Sequence, residues 1–169
     1  FAEALKRYAA RHHRECSGGR ERLEITYQTV SSVTDPAAEV EVLTEQLRAH
    51  MESHQGAERA SRMCLSGPHK DDLVITIDGR EAKSYSSQGQ TRTAALALKL
   101  AEREIYQNAT GEYPVLLLDD VLSELDPRRQ EFVLNRIAGG QVFITCCEDD
   151  RLPVLLGGKV FHVKQGAIG

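Results

Sequence analysis

Apolar residues recur along this chain first at helical and then at alternating spacing, and each switch marks an element. Leu5, Tyr8, Ala9 and His12 share one face of a helix predicted over 1–14, which Ser17-Gly18-Gly19 stops. Residues 23–30, Leu-Glu-Ile-Thr-Tyr-Gln-Thr-Val, alternate as a half-buried strand does. Val40, Leu43, Leu47 and Met51 predict a second, amphipathic helix, with Asp35 as its cap and Pro36 in its first turn. Residues 56–63 are polar and follow neither period. Ser66-Gly67-Pro68-His69 predicts a turn before a strand at 72–77, and Asp78-Gly79 predicts that 72–84 fold back as a hairpin. A long helix follows over 90–108, apolar on most faces as far as Leu100 and therefore largely buried. The remainder alternates, with strands at 115–119, 142–146 and 160–164 and helices at 128–137 and 151–156. That alternation predicts parallel βαβ units, and the unbroken apolar run 115–118 predicts a strand buried on both faces.

Composition narrows the class. A chain of 169 residues, 41% hydrophobic and 27% charged, suits one compact domain or one domain with a small appendage, and it excludes wholesale disorder. No apolar stretch approaches the length of a membrane span, so no membrane partner is expected. The opening Phe-Ala-Glu-Ala-Leu-Lys-Arg is too charged for a secretory leader and reads as mid-helix, as if cut from a longer polypeptide. The cysteines Cys16, Cys64, Cys146 and Cys147 form no C-x-x-C pair, so a zinc site is not expected, and a reducing cytoplasm is. A net charge of −4 gives no global attraction for nucleic acid. Lys6, Arg7, Arg11, Arg14, Arg20 and Arg22 do cluster near the start. They read as a solvated helix face unless they belong to a larger basic surface that meets phosphates.

Two segments carry candidate chemistry. Ser86-Ser87-Gln88-Gly89-Gln90 supplies hydroxyls, amides and a glycine at the start of the long helix, with Arg92 one turn on. Free N–H groups and the helix dipole favour a phosphate there, and simple capping by Ser87 is the plainer reading. Asp119 and Asp120 end the apolar strand, where ligands of parallel sheets sit. Adjacent strand residues face opposite ways, so one carboxylate is expected on Mg²⁺ and the other toward an attacking water. An acidic turn is the alternative. Asp126-Pro127 then begins the next helix as cap and first turn, in a loop that lies beside the carboxylates.

The order of these segments resembles the signature motif, Walker B strand and D-loop of ABC-type ATPases. The finer resemblance is to the RecF family, bacterial recombinational-repair ATPases related to the SMC proteins. It rests on Ser66-Gly67-Pro68-His69-Lys70-Asp71-Asp72, on Ser87–Thr93 with the small apolar residues after it, on Leu117–Asp126, and on Val160–Gly166, together spanning about residues 20–166. The resemblance implies an α/β fold, the C-terminal part of an ABC-type head. It has a mostly parallel sheet with flanking helices, an antiparallel hairpin and the end of a helical arm. Residues 1–65 would hold the arm's end and a returning strand and helix, and 66–169 the head. Asp119 would act on Mg²⁺ and Asp120 would be catalytic, in the place where most ABC ATPases carry glutamate and RecF-like proteins aspartate. Ser87, Gln88, Gly89 and Gln90, with Ser123 and Asp126, would meet ATP across a homodimer interface. The implied partners are double-stranded and gapped DNA and, in function, RecO, RecR and RecA.

Departures qualify the match. Lys70 replaces an expected arginine, Thr91 an expected glutamine, and Cys146 stands near a switch position that histidine usually fills. No G-x-x-x-x-G-K-[ST] loop is present, since Gly157-Gly158-Lys159 runs into Val160. The chain is therefore expected to turn over negligible ATP by itself. The alternatives are another SMC-like or ABC head, an interaction module, or a two-carboxylate metal-dependent hydrolase with Glu148, Asp149 or Asp150 as third ligand.

Overall fold

The computed structural model describes residues 1–122, 125–146 and 158–168. In chain order the elements are α1 (Ala2–Cys16), β1 (Leu23–Gln28), α2 (Val40–Ser61), a 3₁₀ turn (Pro68–Lys70), β2 (Asp72–Ile77), β3 (Arg80–Glu81), α3 (Ala82–Tyr85) and α4 (Gln88–Thr110). They continue with β4 (Leu116–Asp119), α5 (Pro127–Arg136), β5 (Val142–Thr145), β6 (Val163–Lys164) and β7 (Ala167–Ile168). Among the described residues β1, β2 and β3 form an antiparallel sheet, β4 and β5 a parallel pair, and β6 and β7 a small hairpin.

The long helix α4 is the spine. One side carries Ala94 and Ala101 into a core with Leu5 and Ala9 of α1, Leu23 and Ile25 of β1, and Ile77 of β2. The other side carries Leu96 and Leu100 into a second core with Leu116 and Leu118 of β4, Leu122 and Leu125 of the following loop, and Val133, Leu134 and Ile137 of the α5 region. Small residues on the first side let α1 and the antiparallel sheet approach closely, and leucines on the second fill the wider gap to the parallel pair. Register follows burial: Leu23 pairs with Ile77, Ile25 with Ile75 and Tyr27 with Leu73.

The hairpin forms as predicted. Asp78 and Gly79 have φ of 50° and 75°, the double left-handed step of a tight two-residue turn. Arg22 reinforces it by donating its N–H to Asp78 Oδ1 at 2.9 Å and accepting from the Asp78 N–H at 2.9 Å.

Four sequence expectations change. The second helix starts at Val40 behind Glu39, not Asp35. Asp35 instead accepts from the Ala37 N–H at 2.9 Å and closes a local turn. That helix runs through Gly56 to Ser61, although 56–63 showed no clear period, and His50 is its one buried residue. The strand expected at 160–164 shrinks to Val163–Lys164 and pairs antiparallel with Ala167–Ile168, because Gln165-Gly166 form a left-handed turn. The β4 strand is not buried on both faces: Leu116 and Leu118 point into the core, whereas Leu117 is 70% exposed beside Phe143, its register partner on β5. The helix expected at 151–156 lies outside the described residues.

The basic start is largely consumed by the fold. Lys6 pairs with Glu3, Arg11 with Glu104 and Arg22 with Glu24, while Arg20 donates to the Ser17 carbonyl at 2.9 Å. Among the described residues no helix is long and apolar enough to cross a membrane.

Candidate functional site

Ser87 begins α4 through a reciprocal cap. Its Oγ accepts from the Gln90 N–H at 3.2 Å, and Gln90 Oε1 accepts from the Ser87 N–H at 3.0 Å. The cap therefore uses the N–H groups of Ser87 and Gln90. Those of Gln88 and Gly89 stand at the positive end of a 23-residue helix, with Ser87 and Gln88 exposed to solvent. Gln90 is also anchored from behind, where its Nε2 donates to Glu21 Oε1 at 3.3 Å. The capping reading of Ser87 therefore holds, and the helix start faces outward beside it.

Asp119 ends β4 opposite Thr145, which ends β5. The Thr145 hydroxyl donates to Asp119 Oδ1 and accepts from the Asp120 N–H at 3.0 Å, and the Thr145 carbonyl lies 3.1 Å from the same N–H. One threonine thus holds both acids. Asp120 turns away from the strand with φ of 51°, a left-handed conformation that aspartate tolerates better than longer acids. Both carboxylates are exposed. Exposed carboxylates are hard oxygen donors of the kind Mg²⁺ takes, with water filling most of its shell, and among the described residues no group of three or more His, Cys, Asp or Glu gathers to hold a metal. The sequence reading missed Thr145. Its signal was available, because parallel strands of equal length place their last residues side by side.

The loop after the acids is pinned at two leucines. Leu122 and Leu125 are buried, and the Leu122 carbonyl accepts from the Leu125 N–H at 3.2 Å and from Gln130 Nε2 at 2.8 Å. Asp126 then caps α5, its Oδ1 accepting from the N–H groups of Arg128 and Arg129, each at 3.1 Å. Ser123 lies outside the described residues, as do Glu148, Asp149 and Asp150. Cys146 follows Thr145 and is exposed.

These groups fall into two places. Asp119 and Asp120 gather around Thr145. Ser87, Gln88, Gly89 and Gln90 gather at the α4 start, and Arg129 brings Asp126 to them: its Nε lies 3.5 Å from Asp126 Oδ2, and a Cβ built on Gly89 would sit 3.4 Å from its guanidinium. Behind α5, Arg103 joins the two helices. It donates to the carbonyls of Arg136 and Ile137, each at 3.3 Å, and of Gly139, while its guanidinium lies 4.2 Å from the centre of the Tyr113 ring. It thereby satisfies the bare carbonyls at the C-terminal end of α5. Nothing in the local sequence distinguishes Arg103 from the other cations on α4.

An outward-facing helix start, a strand ending in paired acids and an acid-capped helix stand together on an α/β frame, the arrangement that the resemblance to ABC-type heads implies. No family model matches the chain. It is 42% identical over 174 residues to the DNA replication and repair protein RecF of Symbiobacterium thermophilum, covering 99% of this chain and 46% of that protein. It is 41% identical to that of a Synechococcus strain, covering 98% and 44%. Two solved structures of the recombination mediator protein RecF of the RecFOR pathway superpose on it, RecF-ATPrS with a TM-score of 0.79 at 38% identity and RecF-ATP with 0.77 at 36%. Each covers 99% of this chain and 43% of the solved one. Over nearly its whole length the chain is similar to RecF proteins, and it spans a little under half the length of the curated relatives it matches.

Proposed function

We propose that this chain is the C-terminal part of a RecF-type, ATP-dependent DNA clamp acting in the repair of single-strand gaps in the cytoplasm. Two such heads close on ATP as a homodimer around double-stranded or gapped DNA, hydrolysis releases them, and RecO, RecR and RecA are the functional partners. Residues 66–169 carry the head's motifs. Residues 1–65 hold the end of the helical arm, at 1–14, and the returning strand β1 and helix α2. Within this reading Asp119 holds Mg²⁺, and Asp120 orients the attacking water. Ser87, Gln88, Gly89 and Gln90 meet the terminal phosphate of ATP held by the opposite protomer, beside Ser123 and Asp126. Mg²⁺, when bound, supplies charge neutralisation on the phosphates.

The observation that carries the proposal is the pairing of a capped, outward-facing α4 start with Asp126 through Arg129, in a chain about 40% identical to RecF proteins over nearly its whole length. The nucleotide in the solved RecF-ATP structure supports ATP as the ligand. The test mixes the chain with a separately made segment carrying the phosphate-binding loop and measures Mg²⁺- and DNA-dependent ATP hydrolysis. The chain alone is expected to be inert and the pair active, with loss in Asp119→Ala. Hydrolysis by the chain alone, abolished by Asp119→Ala, would overturn the need for a second segment. An inert uncut protein would overturn the ATPase reading.

A further inference from the structure

Beneath the α4 start lies a buried polar cluster that packing alone does not explain. His13 of α1 is fully buried (0% exposed), and its Nε2 lies 3.1 Å from Glu21 Oε2. Glu21 accepts from Gln90 Nε2 through its other oxygen. Arg129 of α5 approaches from the far side, between Gly89 and Asp126. Both ring nitrogens of His13, Glu21 Oε2 and Arg129 Nε are buried and make no hydrogen bond of good geometry. A fold seeking only stability would fill such a site with apolar side chains, because orphaned buried polar groups cost free energy. Glu21 and Arg129 also act oppositely on the His13 proton, which puts all three within mutual electrostatic reach.

We propose that His13, Glu21 and Arg129 are positioning residues that fix the phosphate-facing start of α4 to the Asp126 loop, so that both present themselves to nucleotide as one rigid unit. The contacts run in series from α1 to α5. His13 orients Glu21, Glu21 holds the Gln90 amide, the Gln90 cap sets Ser87, and Arg129 ties the adjoining Gly89 turn to Asp126. Gln90 has a single side chain to serve both its cap and Glu21, so loosening Glu21 shifts the turn that carries Gln88 and Gly89. Any displacement of α1 would thereby be felt at the phosphate-facing turn.

This proposal rests on the reading that α4 meets ATP bound by another protomer, and its test separates the two. In the complete protein, Glu21→Ala is expected to lower kcat and ATP-driven dimerisation at least tenfold, with the ATP affinity of the monomer changed less than twofold. Glu21→Gln, which keeps an oxygen for the Gln90 amide, should recover most of the loss. Arg129→Ala, from the other end of the series, should give the same split, and it serves as the test if Glu21→Ala does not fold. Unchanged turnover in both alanine variants overturns the proposal, as does a parallel loss of turnover and monomer affinity. Gly89→Asp is the reference: if it leaves turnover and dimerisation intact, the reading of α4 fails and the proposal with it. If Gly89→Asp is inactive while Glu21→Ala and Arg129→Ala are not, the proposal alone fails.

Discussion

Gly140 shows how a single residue constrains the frame beneath the site. Its φ is +69°, and an added Cβ would lie 2.6 Å from Tyr113 Cβ, the residue whose ring stacks on Arg103. Gly19 has a similar φ of +77° with nothing within 4 Å. An alanine at either position meets the left-handed backbone cost of about 1–2 kcal/mol, but only Gly140→Ala also displaces Tyr113. Urea denaturation should therefore show Gly140→Ala losing clearly more stability than Gly19→Ala. Equal losses would mean that the close approach to Tyr113 carries no weight. At this scale the sequence was partly legible. Asp78-Gly79, Asp126-Pro127 and Ser87 act on backbone within three residues of themselves, and their roles show in two or three letters. Thr145, Arg103 and Glu21 act on partners 26, 33 and 69 residues away, and only the fold reveals them.

Among the elements, α2 and α4 are nearly equal in length and opposite in support. The α4 helix has a capping box, a left-handed Gly111 whose N–H bonds the Gln107 carbonyl at 2.8 Å, and a core on two sides. The α2 helix has no side-chain cap, a glycine inside it and one buried residue. Its amphipathic stripe was legible, but periodicity cannot say whether anything covers the stripe, and Val40 and Met51 remain exposed. Its stability is then close to that of an isolated helix, which is marginal at this length. Native-state hydrogen exchange should find α2 amides exchanging through local fraying, with protection at least about tenfold below that of α4. Comparable protection in the two helices would show that α2 is covered.

For the whole molecule, acidity acts through two histidines inside the α1–α4 layer. Burial holds His12 and His13 below the ordinary imidazole value, against the pull of Glu104 and Glu21. Above about pH 6.5 folded and unfolded states both keep these rings neutral, so nothing is lost. As pH falls below that value the unfolded chain takes up protons that the folded chain refuses, and stability drops until the folded rings protonate as well. Thermal melts from pH 8 to 5.5 should show Tm falling through the lower half of that range, and His12→Gln/His13→Gln should flatten the fall. An unchanged slope in the double variant would assign it to other groups. The halves of the chain were legible to different degrees for a related reason. Local alternation predicted the β4–α5–β5 unit but not the antiparallel hairpin at 163–168, and the twofold use of α4 depends on which of its faces meets which sheet, which no local pattern encodes.

The bare face of the β4–β5 pair has a practical meaning. Leu117 of β4 and Phe143 of β5 are exposed there, with Val115 just before β4, in a parallel pair of the kind ordinarily covered on both sides. Short exposed apolar β-segments are templates for self-stacking, and the charge on this pair stands at the end of β4, at Asp119. Colloidal behaviour, rather than unfolding, should then limit how concentrated the chain can be kept. Light scattering should rise with concentration well below the melting temperature. Leu117→Lys, which places a gatekeeper charge on that face, should suppress the scattering without lowering Tm.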